Sequence, residues 1–239
     1  MKVSVIIPTL NEGSRVASAI DRAWLAGANE VIVSDGGSRD DTVRVARRLA
    51  CRLIQTAAGR AVQQNAAAAV ASGDVLLFLH ADTWLEAAAI SQICQTMTNG
   101  EIVAGAFMQQ IDGIAGAYRW LERGNAMRVR LFRLPFGDQG IYVRRDVFES
   151  IGRFPDVALM EDVRLLRCLR RRGLIVLLPG PLHVSSRRWQ CHGVARQTLR
   201  NWMLLLAERF GVSPKRLANF YPPTREVGHL GADGCSVSS

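Results

Sequence analysis

Short, continuous apolar runs alternate with longer segments of helical period through the first third of the chain. Val3 to Pro8, Glu30 to Ser34, Arg52 to Gln55 and Val75 to Leu79 read as strands. Ser14 to Ala26, Asp41 to Ala50 and Ala61 to Ala71 read as the helices between them. Strands without polar alternation are buried on both faces, and helical connections between them imply crossovers. The pattern therefore predicts an α/β fold with a doubly wound, mostly parallel sheet covered on both sides.

Beyond Thr83 the period is less regular. A helix is expected over Glu86 to Met97, strands over Ile102 to Gln110, Gly140 to Arg144 and Leu174 to Leu178, and a helix over Asp162 to Arg172 stopped by Gly173. The stretch Tyr118 to Phe136 is rich in aromatics and arginine and receives no assignment. From Val194 to Phe210 the apolar residues Leu199, Trp202, Met203, Leu206 and Phe210 recur at helical spacing, which predicts a C-terminal amphipathic helical extension. The expected organisation is one domain over residues 1–221, with the extension beginning near 186, and a disordered tail over 222–239.

Charge changes this picture in one place. The formal net charge of +9 is uneven: Arg187, Arg188, Arg196, Arg200, Arg209, Lys215 and Arg216 stand against Glu208 alone in that stretch. Such a patch suits phosphates, an anionic membrane surface or nucleic acid, and a solvated basic face is the plain alternative. No recognised nucleic-acid module accompanies it, so nucleic acid is not expected as a partner. Five cysteines without Cys-x-x-Cys spacing support neither a disulfide framework nor a zinc site and are expected as reduced thiols in cytoplasm. No apolar run approaches the roughly 20 residues of a membrane span, and no signal-peptide core is expected at the start.

In an open parallel sheet, ligands sit beyond the carboxyl ends of the strands. Those ends are polar here: Pro8-Thr9-Leu10-Asn11-Glu12, then Asp35-Gly36-Gly37-Ser38-Arg39-Asp40, then His80-Ala81-Asp82. The segments VSVIIPTLNE, VIVSDGGSRDDT, GRAVQQNAAAAVASGDVLLFLHADT and MEDVRLLRCLRRRG follow one another in the order and spacing of family 2 glycosyltransferases. The chain resembles that family, and more closely a small bacterial subgroup without transmembrane segments in which FGDQGIYVRR and SSRRW also recur. The resemblance implies a GT-A-like fold and an inverting transferase that moves a sugar from a nucleotide diphosphate sugar, a UDP-sugar by preference, to an acceptor hydroxyl.

The resemblance also implies roles for residues. Pro8, Thr9 and Glu12 line the base and ribose pocket, and Asp35 grips uracil or ribose; the family's second aspartate is replaced by Gly36. Asp82 is the last aspartate of the Asp-x-Asp signature and would hold Mg²⁺ or Mn²⁺ on the diphosphate, with His80 in the first position. Arg60 and Asn65 approach the nucleotide, Asp138 binds donor hydroxyls, and Asp162 acts as general base with Glu161 orienting it or the acceptor. Arg188 faces the pyrophosphate and Trp189 stacks on the acceptor; Ser185 in place of the signature glutamine argues against processive polymerisation. By residue type alone, Asp35 and Asp138 equally suit turns, and Asp82 and Asp162 equally suit helix N-caps. His183 and His192, which flank the SSRRW loop, read as packed or surface histidines.

Two rivals remain at this level. A sugar nucleotidyltransferase would need a Gly-rich loop with an activating cation after the first strand, and Pro8-Thr9-Leu10-Asn11 is not one. A non-catalytic basic protein binding membrane or nucleic acid is the other. The Arg187 to Arg216 segment is expected to dock the protein peripherally on the inner face of an anionic membrane, where a lipid-linked acceptor could be reached; packing of the apolar stripe on the core or in a dimer is the competing expectation.

Overall fold

The computed structural model describes residues 1–87, 89–157, 159–186, 189, 193–210 and 212. Among them run β1 (Val3–Thr9), α1 (Val16–Leu25), β2 (Glu30–Asp35), α2 (Thr42–Ala46), β3 (Arg52–Gln55), α3 (Arg60–Val70), β4 (Val75–Phe78), β5 (Thr83–Leu85), α4 (Ala89–Thr96) and β6 (Ile102–Ile111). There follow α5 (Gly116–Phe132), a 3-10 turn (Gly137–Gln139), β7 (Ile141–Arg144), α6 (Arg145–Ser150), α7 (Glu161–Leu169), β8 (Leu174–Val184) and α8 (Val194–Arg209). The strands form one eight-stranded sheet in the order β3-β2-β1-β4-β7-β6-β8-β5.

The expected parallel half is present: β1 pairs in parallel with β2 and β4, and β2 with β3. β7 then enters antiparallel between β4 and β6, β6 and β8 are parallel, and β5 closes the far edge antiparallel to β8. Alternation along each strand feeds two cores. Val3, Val5 and Ile7 of β1 join Val31, Val33 and Leu77 beneath α1 and α4, whereas Ile6, Ile32, Leu76 and Phe78 face α3, α6 and α7. In the second core Phe78 meets Phe154 edge-on at 4.9 Å and Phe148 at 5.5 Å. Burial of both faces is what the unbroken apolar runs require.

The second half differs from the sequence pattern in recognisable ways. Tyr118 to Phe136 is mostly helix, α5, whose Trp120, Met127 and Leu131 are exposed while Tyr118, Ala126 and Val129 are buried. Apolar side chains on two faces erase the single stripe that a helical reading relies on. β8 runs on to Val184, past a cis Gly180–Pro181 bond. α7 begins at Glu161 with Met160 in the left-handed region as its N-cap, so Asp162 lies inside the first turn and is not the cap. Asp82 likewise precedes a strand, β5, and caps no helix.

The helix expected from Val194 to Phe210 is present as α8, but its stripe turns outward: Leu199, Trp202, Met203, Leu206 and Phe210 are all exposed. The helix is held instead by buried Leu204 and by Glu208, which pairs with Arg167 at 2.7 Å and Arg164 at 3.4 Å on α7. Packing of the stripe on this chain's own core is thereby overturned. No helix of the described residues is long and apolar enough to cross a membrane, and Cys51, Cys94 and Cys168 are free thiols. Arg187, Arg188, His192, Lys215, Arg216 and the 222–239 tail lie outside the described residues.

Where β6 passes between β7 and β8, only glycine fits. A Cβ at Gly105 would lie 2.4 Å from the Val176 carbonyl and would overlap the Tyr142 ring. Gly105→Ala is expected to lower the thermal midpoint by several degrees, since overpacking costs about 1–3 kcal/mol and each kcal/mol is worth roughly 2–4 °C in a domain of this size. A midpoint equal to that of the parent would show that the β6 junction yields.

Candidate functional site

The carboxyl ends of β1, β2 and β4 lie side by side, because Thr9 is in register with Asp35 and Ile6 with Phe78. Gln63 of α3 bridges the first two: its Nε2 donates to the Thr9 and Ser34 carbonyls, both at 2.7 Å. A Cβ on Gly36 would stand 3.0 Å from that carboxamide. This is the physical reason for glycine where the family carries a second aspartate: the space is taken by Gln63.

The loops after β1 and β2 are tied to one another. Asn11 N–H donates to Ser38 Oγ, Arg39 N–H to Asn11 Oδ1, Glu12 N–H to Thr42 Oγ1 and Gly13 N–H to Asp40 Oδ2, all within 2.9 Å. Asp35 is wholly buried; its Oδ2 accepts from Gly37 and Ser38 N–H, and its Oδ1 from Ser38 and Thr9 hydroxyls. The Asp35 carboxylate, expected at the base or ribose, is held here by Thr9 and by its own loop, and so fixes that loop beside the end of β1. Pro8 and Thr9 lie on the end of β1, with Thr9 buried, and Glu12 pairs with Arg15 at 2.8 Å.

Arg60 and Asn65 part company on α3. Arg60 starts the helix, is exposed, and reaches Glu161 at 3.5 Å. Asn65 uses both ends of its amide on the Phe154 backbone, at 2.8 and 3.0 Å, and so ties α3 to that segment. Gln63, three residues from Arg60, shares its helix face; it is the side chain of GRAVQQN that the sequence pattern did not single out.

Three segments meet at Asp162. Its Oδ2 accepts from the Gly137 N–H at 2.6 Å and its Oδ1 from the Val163 N–H at 2.8 Å. A Cβ on Gly137 would lie 3.2 Å from Asp162 Oδ2 and 3.6 Å from His80 Nε2, so the β4 end, the 3-10 turn and the α7 start close around one point. The turn itself is clamped from below. Gln139, fully buried, accepts at Oε1 from Phe136 N–H and from Arg128, and Gln109 donates to the Asp138 carbonyl. Arg128 also donates to the Leu134 carbonyl and Asn125, and lies 3.4 Å over the Phe136 ring. Burial pushes the Arg128 guanidinium down to about 10, while the Asp138 and Asp162 charges pull the other way.

Asp138 and Trp189 are brought together. With Asn125, Arg128, Phe136 and Trp202 they line a cleft of about 360 Å³ open to solvent, and Trp189, buried, packs beside Tyr118. Arg188, assigned to the pyrophosphate by resemblance, lies outside the described residues. Asp82 sits two residues past His80 in the turn before β5. Among the described residues no three His, Cys, Asp or Glu side chains converge to hold a metal unaided. A one-carboxylate donor set still fits Mg²⁺ or Mn²⁺ whose other ligands are phosphate oxygens and water. His183 is part of the scaffold at the far edge: it stacks on Trp84 at 3.6 Å and bonds Glu86 at 3.1 Å.

Glu161 is buried, and its pKa is raised by that burial and by Asp162, with Arg60 opposing. A raised carboxyl pKa means that the folded state holds the proton more tightly. The associated stability is present in acid and is lost as pH rises from the ordinary glutamate value of 4.5 toward the folded value. Glu161→Gln removes that titration. Its thermal midpoint relative to the parent is expected to climb as pH rises above 4.5; parallel midpoint curves would contradict the raised pKa.

Comparison with known proteins places this geometry in a lineage. The family model described as Glycosyl transferase family 2 matches residues 4–153. A PGL/p-HBAD biosynthesis glycosyltransferase of Mycobacterium tuberculosis is 30% identical over 164 residues, 63% of this chain and 62% of that protein. A dolichol-phosphate mannosyltransferase of Pyrococcus furiosus is 35% identical over 114 residues, 44% of this chain and 32% of that protein. The chain thus spans less than two thirds of the length of these relatives. Among solved structures, TarS 1–349 of S. aureus superposes with a TM-score of 0.63 at 16% identity, covering 92% of this chain and 68% of that one. Glucosyl-3-phosphoglycerate synthase of Mycobacterium tuberculosis, in complex with Mn²⁺, UDP and its product, gives 0.57 at 21% identity over 77% of this chain and 70% of that one. Fold, motif order and family match agree: this chain belongs to glycosyl transferase family 2 and has the GT-A-like fold.

Proposed function

We propose that the chain is an inverting transferase that moves a sugar from a UDP-sugar to an acceptor hydroxyl, with Asp162 as general base. The observation that carries this reading is the carboxylate of Asp162, held by the Gly137 N–H beside His80 at the carboxyl edge of the parallel strands. Each carboxylate oxygen accepts one backbone bond and keeps a further lone pair for an incoming hydroxyl. In the reaction the acceptor oxygen forms its bond to the anomeric carbon as the bond from that carbon to the diphosphate breaks, and the hydroxyl proton passes to Asp162. A single displacement of this kind inverts the anomeric centre.

The other residues take places consistent with that step. Pro8, Thr9 and Glu12, on the loops stiffened by Asp35 and Gln63, line the nucleoside side. Arg60 at the amino end of α3 suits a diphosphate, because helix N–H groups and the guanidinium both favour negative charge there. Glu161 holds Arg60 from behind. Asp82, with His80 near it, would hold Mg²⁺ or Mn²⁺, and that ion supplies charge compensation for the departing diphosphate. Asp138 and Trp189 offer a carboxylate and an aromatic wall on the acceptor side. The UDP-GlcNAc complex of TarS and the UDP and Mn²⁺ complex of glucosyl-3-phosphoglycerate synthase support the choice of donor and metal. The exposed stripe of α8 supports a cytoplasmic enzyme seated peripherally on the inner face of a membrane, with a lipid-linked acceptor.

Two substitutions test the assignment. Asp162→Asn should keep UDP affinity in calorimetry and lose turnover by a factor on the order of 10² or more, the usual effect of deleting a general base; near-normal turnover would remove Asp162 from the reaction. Asp82→Ala should abolish the gain in UDP affinity that Mn²⁺ confers on the parent, and an undiminished gain would take Asp82 out of the metal site.

A further inference from the structure

Of the large apolar side chains exposed among the described residues, all but Met1, Leu10, Trp24 and Leu25 lie on or beside α5 and α8. The two helices border the same cleft, α5 through Leu121, Asn125 and Arg128, α8 through Thr198 and Trp202. At 3.6 residues per turn, each helix repeats one lateral order away from that cleft. On α5 the cleft edge is followed by Trp120, Met127 and Leu131, then by Arg123 and Arg130. On α8 it is followed by Leu199, Leu206 and Met203, then by Arg196 and Arg200. Trp120 is 74% exposed, Leu131 66% and Leu199 62%, too open for side chains that serve this chain's own core.

The charged side chains that α5 and α8 carry beyond the cleft edge, Arg123, Arg130, Arg196 and Arg200, share one sign. The carboxylates of the two helices are Glu122 and Glu208, and both are turned inward, with side chains 13% and 3% exposed against Arg119 and against Arg164 and Arg167. A second copy of the chain meeting this face about a twofold axis would bring Arg123, Arg130 and Arg196 of the two copies toward one another, whereas the carboxylates of these helices are turned inward. An anionic bilayer offers the opposite: hydrocarbon for the two stripes and acidic headgroups for the arginines outside them.

We infer that α5 and α8 together form a docking surface for an anionic membrane, with the cleft opening between them at the lipid surface. This deepens the proposed transfer to a lipid-linked acceptor and rests on that reading for its purpose. Physically it stands alone. α8 is clamped through Glu208 to α7, the helix that carries Asp162, and Arg128 of α5 clamps the turn that holds the same carboxylate. A membrane that seats both helices therefore also fixes the height of Asp162 above the lipid.

Co-sedimentation with phosphatidylglycerol and phosphatidylcholine vesicles tests the surface. The full chain should bind phosphatidylglycerol vesicles at low salt, lose binding as salt rises, and ignore phosphatidylcholine alone. Arg123→Glu with Arg130→Glu should weaken partitioning by roughly tenfold or more, given the worth of each basic side chain near an acidic surface. Trp120→Ala with Met127→Ala should weaken it independently of salt, and UDP affinity in calorimetry should stay unchanged in both variants. Failure of the parent chain to bind UDP would count against the transfer reading and leave the docking result standing. The inference is overturned by absence of vesicle binding at low salt, by equal binding of the α5 variants, or by a dimer in light scattering that Trp120→Ala with Met127→Ala dissolves.

Discussion

The bond from the Gly137 N–H to Asp162 Oδ2, 2.6 Å long and 25 positions apart in sequence, is the contact on which the arrangement of the site depends. It joins the turn before β7 to the first turn of α7, and the antiparallel entry of β7 beside β4 carries that turn to the parallel strand ends. Glycine suits the position: a Cβ at 137 would crowd Asp162 Oδ2 at 3.2 Å and only touch His80 at 3.6 Å. The insertion of β7 is what sets the Asp162 carboxylate opposite the loops that follow the parallel strands.

That contact is costly to maintain, because it brings charge inside. Arg128 and Glu161 are buried, and burial disfavours the charged form of each. The cost is offset locally. Arg128 donates to a backbone carbonyl, to Asn125 and to Gln139, covers the Phe136 ring, and faces the charges of Asp138 and Asp162. Glu161 has Arg60. Hydrogen bonds shared among buried groups hold the turn and Asp162 in one geometry, although Gln139 Nε2 finds no partner among the described residues. Asp35, bonded to its own loop, stiffens the loops after β1 and β2 in the same way.

The first half of the fold was readable because its strands are covered on both faces and its helices show one buried face each; every strand from β1 to β4 falls within a residue or two of its apolar run. The second half was obscured by residues with two allegiances. α5 buries Tyr118, Ala126 and Val129 under the sheet and exposes Trp120, Met127 and Leu131, so its period is blurred. Motifs located the site, yet periodicity was needed to choose within them: in GRAVQQN the pocket-side partner of Arg60 is Gln63 at i+3, and Asn65 faces Phe154. Arg128 and Gln109 carried no local signal, since they act across the chain on the turn at 137–139, and Asn125 links those two.

α5 and α8 each carry two unlike faces. Their inward sides obey the rules of a protein interior, with Glu122 and Glu208 paired and Tyr118, Ala126, Val129 and Leu204 buried. Their outward sides break those rules by exposing tryptophan, methionine and leucine next to arginines. A helix apolar on two faces is stable in water only while a tertiary anchor holds it, and here the anchors are the Glu208 ion pairs and the Arg128 clamp. Both anchors lead to Asp162, one through α7 and one through the turn at Gly137. The outward faces can thus differ from the rest of the surface without loosening the site, because the side chains that hold these helices in place act on α7 and on the 137–139 turn, the two segments that meet at Asp162.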